Sequence, residues 1–213
     1  MKKLLLMLTL ASMPFCIHTS QAQGLFSKKE FKGKLDRSAY MQGAVPVENG
    51  QIIFHEEIKT DKPAAEVFNR LKQWASLRYM PEMQRGVWTD DDYFKNFEYA
   101  KVNSADGLSG VIECSGDEEL VFTNKTLARD ATRITYLLSM TVGVDKILFS
   151  MHVHYFTYSL GEIPERIQAI DWISDAEAFN KKGELLHNTA KFRIKTIDLK
   201  NELVKEITEA VSE

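Results

Sequence analysis

The chain has 213 residues with an ordinary globular apolar share of 44%, and carries 27 basic and 30 acidic residues. Removing Lys2 and Lys3 with an expected leader takes the 27 basic residues to 25 against 30 acidic ones, a net charge of about −5. That balance suits a soluble exported protein and argues against nucleic acid, whose binding rests on Lys and Arg neutralising phosphates.

Residues 1–22 read as an export signal. Lys2 and Lys3 form a positive start, residues 4–10 are apolar apart from one Thr, and Ser20-Gln21-Ala22 offers small side chains to a signal peptidase. Cleavage is expected between Ala22 and Gln23, and the stretch is too short and wrongly flanked to stay as a membrane span. Cys16 follows Pro14 and Phe15 where a lipid-attachment site wants small residues, so no lipid anchor is expected. These features place the mature chain in the periplasm or at the cell surface of a Gram-negative bacterium. Cys16 leaves with the signal, and Cys114 alone cannot form an intramolecular disulfide.

Residues 23–46 are polar, with Lys28, Lys29, Lys32 and Lys34 against Glu30 and Asp36, and read as a solvated leader. Residues 47–213 read as a single domain. After the Asn49-Gly50 turn, Ile52, Phe54 and Ile58 alternate with Ile53, His55, Glu57 and Lys59, the pattern of a strand with one apolar face. Glu56 interrupts that face, which predicts an edge position or a cation partner. Thr60-Asp61 ahead of Pro63 predicts a capped helix start, and Val67, Phe68, Leu71, Trp74 and Ala75 continue at helical spacing to about Arg78.

Residues 79–96 read as an insertion broken by Pro81 and Gly86. Strands are predicted over 94–102 and 108–114 about an Asp106-Gly107 hairpin. Ser115-Gly116-Asp117 then predicts a turn into a strand at 119–123. Long strands follow at 134–142 and 147–158, the second alternating Phe149, Met151, Val153 and Tyr155 with Ser150, His152, His154 and Phe156. Residues 167–172 suit either a strand or a helix. A short helix over 175–180 and a closing helix over 196–211, apolar at Leu199, Leu203, Ile207 and Ala210, complete the chain. This order predicts an α+β fold: a single antiparallel sheet with two main helices packed on one face. Phe68, Leu71, Trp74, Leu199, Leu203 and Ile207 are expected in one core.

Two stretches resemble a known family. Gly50-Gln51-Ile52-Ile53-Phe54 followed by Phe68-Asn69-Arg70-Leu71-Lys72-Gln73-Trp74 looks like the opening strand and Trp-bearing helix of domain of unknown function 4468. Trp172-Ile173-Ser174-Asp175-Ala176-Glu177-Ala178-Phe179-Asn180-Lys181-Lys182 and Ala190-Lys191-Phe192-Arg193-Ile194-Lys195-Thr196-Ile197-Asp198-Leu199-Lys200 look like its closing segment. The resemblance covers roughly residues 47–211 and implies a secreted bacterial protein with a fold like the TATA-binding protein's. It implies no activity, and the fold name implies no DNA binding, because function sits in sites placed on folds.

His152-x-His154 is the sharpest chemical pattern, since a spacing of two on a strand puts both imidazoles on one face, as a metal pair requires. His55 on the first strand, with Glu57 beside it, would add a third ligand if the two strands are neighbours. The other reading is three ordinary strand histidines. Two ligands fall short of the three or four that hold zinc tightly, so no tight metal site and no cofactor is expected. Cys114 reads as an inert core thiol with no cation beside it in sequence. Asp90-Asp91-Asp92 lacks the spaced ligands of a calcium loop. Glu56-Glu57 and Glu118-Glu119 point to opposite faces of their strands and form no acid/base dyads by themselves. Trp88, Tyr93, Phe94, Phe97 and Tyr99 cluster in and after the insertion, where aromatics stack on sugars, anchor a partner, or tuck a loop onto the core.

The expected function is therefore a non-catalytic binding or interaction module of the cell envelope. Its partner would be an envelope protein or a small ligand such as a glycan, held on the open sheet face or the aromatic insertion. Alternatives are a hydrolase of envelope or polysaccharide material, with a site assembled from separate strands, and a structural accessory of an envelope assembly.

Overall fold

Alternating apolar residues on four long strands build one face of a sheet, and two amphipathic helices cover it. A computed structural model describes residues 37–80, 100–125, 128–159 and 164–212. Its strands are β1 (Val47–Glu48), β2 (Gln51–Lys59), β3 (Lys101–Asp106), β4 (Val111–Lys125), β5 (Ala128–Val142), β6 (Lys146–Tyr158) and β7 (Glu165–Gln168). They form an antiparallel sheet in the order β1-β2-β6-β5-β4-β3, with β7 also on β6. The helices are α1 (Ala64–Arg78), the short α2 (Ile170–Ile173) and α3 (Asp175–Ala178), and the closing α4 (His187–Ser212). The described fold is α+β, with α1 and α4 as the two main helices on the sheet.

The covered face carries Ile52, Phe54 and Ile58 of β2, Ile147, Phe149, Met151 and Val153 of β6, and Ile134, Tyr136, Leu138 and Met140 of β5, all buried. Val67, Leu71 and Ala75 of α1 and Phe192, Leu199, Leu203 and Ile207 of α4 close the same core. Each such Val, Leu, Ile, Met or Phe side chain contributes about 1.5–3 kcal/mol relative to exposure. Phe68 and Trp74, expected inside, are only partly buried against it. The Trp74 Nε1–H instead donates to Glu206 on α4 at 3.2 Å, which ties the two helices at the core's rim.

Glu56 sits on the covered face, where Lys200 of α4 meets it at 2.5 Å. Both explanations for that break in the pattern hold: Glu56 has the cation partner, and among the described residues β1 covers the outer edge of β2 only at Gln51 and Ile52. Glu57 faces the other way and pairs with Lys146 at 2.8 Å. The start of α1 differs from its prediction. Pro63 precedes the first helical residue and no side chain caps the helix, while the Thr60 hydroxyl accepts the Lys62 amide one turn earlier.

No turn forms at Ser115-Gly116-Asp117: β4 runs straight through it. Gly116 is a strand glycine that makes room for the Tyr136 ring across the ladder, and Asp117 is buried against Arg133 at 3.0 Å. Both turn-favouring residues thus serve close packing within the strand. At Asp106, a wider turn over residues 107–110 replaces the tight hairpin, with the Leu108 amide and the Ser109 hydroxyl bonded to the Asp106 carboxylate. The first part of the strand predicted over 94–102 lies outside the described residues.

The alternation of β6 changes phase. On one edge of β6, β2 pairs up to Val153 and β7 from Tyr155 onward, and on the other edge the β5 register slips between Thr135 and Tyr136. His154 is the extra residue of this bulge. Beyond it Phe156 is buried and Tyr155 is not, the reverse of the predicted faces. Residues 167–172 turn out to contain both candidates, the end of β7 and then α2.

α4 begins nine residues before its predicted start, at His187. Thr189, Arg193 and Thr196 lie on its buried side and broke the apolar spacing that marks the rest. Arg193 is wholly buried. Its guanidinium donates to the carbonyls of Tyr40, Met41 and Ile173 and to the Asp175 carboxylate, all within 2.6–2.7 Å. Asp175 in turn accepts the Gly43 amide, and Tyr40 donates to Asp198. The last ten residues of the segment read as a polar leader therefore pack on the domain, with Val45 in its core.

Candidate functional site

The face of the sheet opposite α1 and α4 is the surface on which the strands present their other side chains. The register sets those residues in rows. Ile53, His152, Leu137 and Ser115 form one row across β2, β6, β5 and β4. His55, Ser150, Ser139 and Glu113 form the next, and Glu57, Leu148, Thr141 and Val111 the one after. Short hydroxyl side chains thus occupy the middle, flanked by Leu137 and Leu148, which are 40% and 44% exposed. Two aliphatics left in water on a sheet whose other face buries nearly every apolar residue are the notable apolar feature here.

His152 and His154 share this face. Their ring centroids lie 4.1 Å apart with the planes tilted by 39°. Burial lowers the pKa of both imidazoles, and His152 lowers that of His154 further. His55 is also on this face, opposite Ser150, but its Nε2 pairs with Glu48 at 3.1 Å. Strand adjacency therefore holds, yet the histidines do not converge: among the described residues, no three His, Cys, Asp or Glu side chains come together to hold a metal ion.

Cys114 points the other way, into the core between Val102 and Leu138 on the flanking strands. Burial, with Glu113 adding to it, pushes its thiol up to about 12, which keeps it protonated and unreactive. A strand's alternation separates it from the histidines by the thickness of the sheet.

A polar network absent from the sequence reading lies beneath the end of α1. Glu118 accepts the Tyr136 hydroxyl and, at 2.6 Å, the Arg78 guanidinium. The Tyr136 and Tyr79 hydroxyls stand 3.1 Å apart, and Arg78 also donates to Glu206 at 3.1 Å. Burial and the negative Glu118 raise both phenols well above their ordinary pKa. Protonated phenols and a carboxylate paired with an arginine supply donors and acceptors to one another, which stabilises the core. Sequence could have flagged Arg78 and Glu118 only as surface charges, since nothing local marks residues 40 positions apart as partners.

Towards the start of α4, the Lys191 ammonium binds Asp130 and the Tyr158 hydroxyl, each at 2.7 Å, over the rings of Phe122 and Tyr158. This too is internally complete. Trp88, Tyr93, Phe94, Phe97 and Tyr99, the Asp90-Asp91-Asp92 run, and the cleavage pair Ala22 and Gln23 lie outside the described residues.

Residues 54–156 match the family model described as domain of unknown function (DUF4468) with TBP-like fold. The chain is similar to the crystal structure of a DUF4468 family protein from Bacteroides ovatus, at 25% identity and a TM-score of 0.70, covering 84% of this chain and 97% of that one. It is also similar in fold to a TBP-like protein from Parabacteroides distasonis, at 20% identity and a TM-score of 0.60, covering 79% and 97%. Among curated proteins none matches.

Proposed function

Because the chain carries a DUF4468 domain with a TBP-like fold, we propose that it is an exported, non-catalytic binding module on whose open sheet face a protein of the bacterial cell envelope docks. The observation that carries this reading is the exposure of Leu137 and Leu148 on either side of the Ser139 and Ser150 hydroxyls. Apolar side chains on a sheet face that bears no helix among the described residues lose contact with water when a complementary surface covers them, which drives association. A broad face suits a protein surface better than a small molecule, which favours an enclosing cleft. Export rests on Lys2-Lys3, the apolar run and Ser20-Gln21-Ala22. The acidic groups of the Glu118 network are matched by Arg78 and the phenols, an arrangement that supports stability rather than turnover.

Cross-linking in the native envelope, purification and mass spectrometry test the reading. The mature chain, starting at Gln23, should recover one envelope protein in near-equal amount. Leu137→Glu with Leu148→Glu should abolish that recovery while leaving the melting transition in place. Equal recovery with the double variant would overturn the docking face.

A further inference from the structure

We propose that His152 and His154 form an open two-imidazole site for a late first-row divalent cation such as Cu²⁺, Ni²⁺ or Zn²⁺, with water completing its coordination. The inference concerns the cation alone and holds whether or not a protein docks on the same face.

Three observations carry it. First, the bulge that places His154 also sets its ring against that of His152, with centroids 4.1 Å apart. Two metal–nitrogen bonds of ~2.0–2.1 Å at ordinary tetrahedral or square angles need donor nitrogens about 3 Å apart. Rings whose centroids lie 4.1 Å apart are close enough for one nitrogen of each to come to that spacing. Second, neither imidazole has a hydrogen-bond partner among the described residues, although both are half-buried. His55, by contrast, is engaged by Glu48. Half-buried ring nitrogens without partners among the described residues are available donors. Third, the backbone at the bulge is fixed on both edges, because the His154 carbonyl accepts the Ala169 amide at 3.0 Å while Tyr136 and Ile52 flank Val153. On such a backbone only the two rings, and not the chain that carries them, have to be ordered on binding.

The surroundings decide the kind of site. Ile53 and Leu137 flank His152 on the neighbouring strands and supply no ligand. Imidazole-only donation selects against Mg²⁺ and Ca²⁺, which take oxygen, and the Irving–Williams order puts Cu²⁺ first among the ions it accepts. With two protein ligands the ion exchanges freely and leaves during purification, consistent with the expectation of no tight site.

The experiment is a titration of the mature protein with CuCl₂ or ZnCl₂, read by calorimetry and by the imidazole resonances of all its histidines. One saturable equivalent should shift or broaden His152 and His154 together, with Cu²⁺ binding more tightly than Zn²⁺ and Mg²⁺ leaving both unchanged. His152→Ala and His154→Ala should each weaken binding at least the ~10-fold that loss of even an outer-shell partner costs. His55→Ala should leave affinity within about threefold, less than that outer-shell cost. His152→Gln and His154→Gln, checked by an unchanged thermal transition, guard against a fold defect. Resonances of His152 and His154 that stay fixed at millimolar cation, or an equal loss in His55→Ala, would overturn the assignment.

Discussion

A β-carbon built on Gly116 would stand 2.1 Å from Cζ of Tyr136, its cross-strand partner. The Tyr136 ring occupies the space that any side chain at 116 would need, and its hydroxyl reaches past the glycine to Glu118, two residues along the same strand. Gly116→Ala must therefore displace a fully buried ring and break that bond. Overpacking of this kind costs about 1–3 kcal/mol or more. We expect at least the upper end of that range in urea denaturation. Tyr136→Ala removes the obstacle, so the double variant should lose clearly less than the two single losses combined. Strict additivity would mean that the ring does not require the glycine.

Arg193 supplies the second expectation. Its four partners include three backbone carbonyls from segments more than 15 residues away, and it has no exposed surface. Burial lowers its pKa, with Asp175 opposing that effect, so the pairing is what keeps the charge tolerable inside. Arg193→Ala should cost about 3–5 kcal/mol, the range for breaking a buried charge pair. Arg193→Lys should recover little, because an ammonium cannot span carbonyls in the planar fork of a guanidinium. Amide exchange at Gly43, bonded to Asp175, should accelerate in both variants before the rest of the domain opens.

Trp74 provides the third. Its indole is partly buried at the rim, so Trp74→Ala should fall below the ~3–5 kcal/mol of a wholly buried aromatic, at about 2 kcal/mol. Trp74→Phe keeps the ring and loses the bond to Glu206, for about 1 kcal/mol. Equal losses for the two substitutions in thermal denaturation would show that the hydrogen bond, not the ring, does the holding.

The layer order was legible in the residues wherever one face of an element is mainly apolar. β2, α1, the later part of α4 and most of β6 follow their period because water and core impose opposite chemistries on successive positions. Errors arose where packing reverses that logic. Gly116 and Asp117 carry turn chemistry but serve the Tyr136 ring and Arg133, and Arg193 is a charged residue on the buried side of a helix. Such residues are explained only by partners distant in sequence, which periodicity does not see. The histidine pair was legible from its spacing alone, but the separation of His55 from it needed the register that sets His55 against Ser150.

Glu202 gives a test with a defined sign. Burial, reinforced by the nearby Glu206 and Glu118, raises its folded-state pKa above the ordinary glutamate value of 4.5. A raised pKa means that the folded state holds this proton more tightly than the unfolded chain does. The stability linked to it is fully present below pH 4.5 and is lost as pH rises through the folded-state value. At neutral pH the ionised carboxylate thus works against folding, and Glu202→Gln removes that opposition. The variant should melt at a higher temperature than the parent at pH 7, and the gap should close as both are taken below pH 4.5, where the parent side chain is itself neutral. A gap that stays constant across that range would assign the gain to helix propensity or packing in α4. A variant less stable than the parent at pH 7 would show that Glu202 is a partner of Arg78 or Lys195 rather than a carboxylate crowded by its own kind.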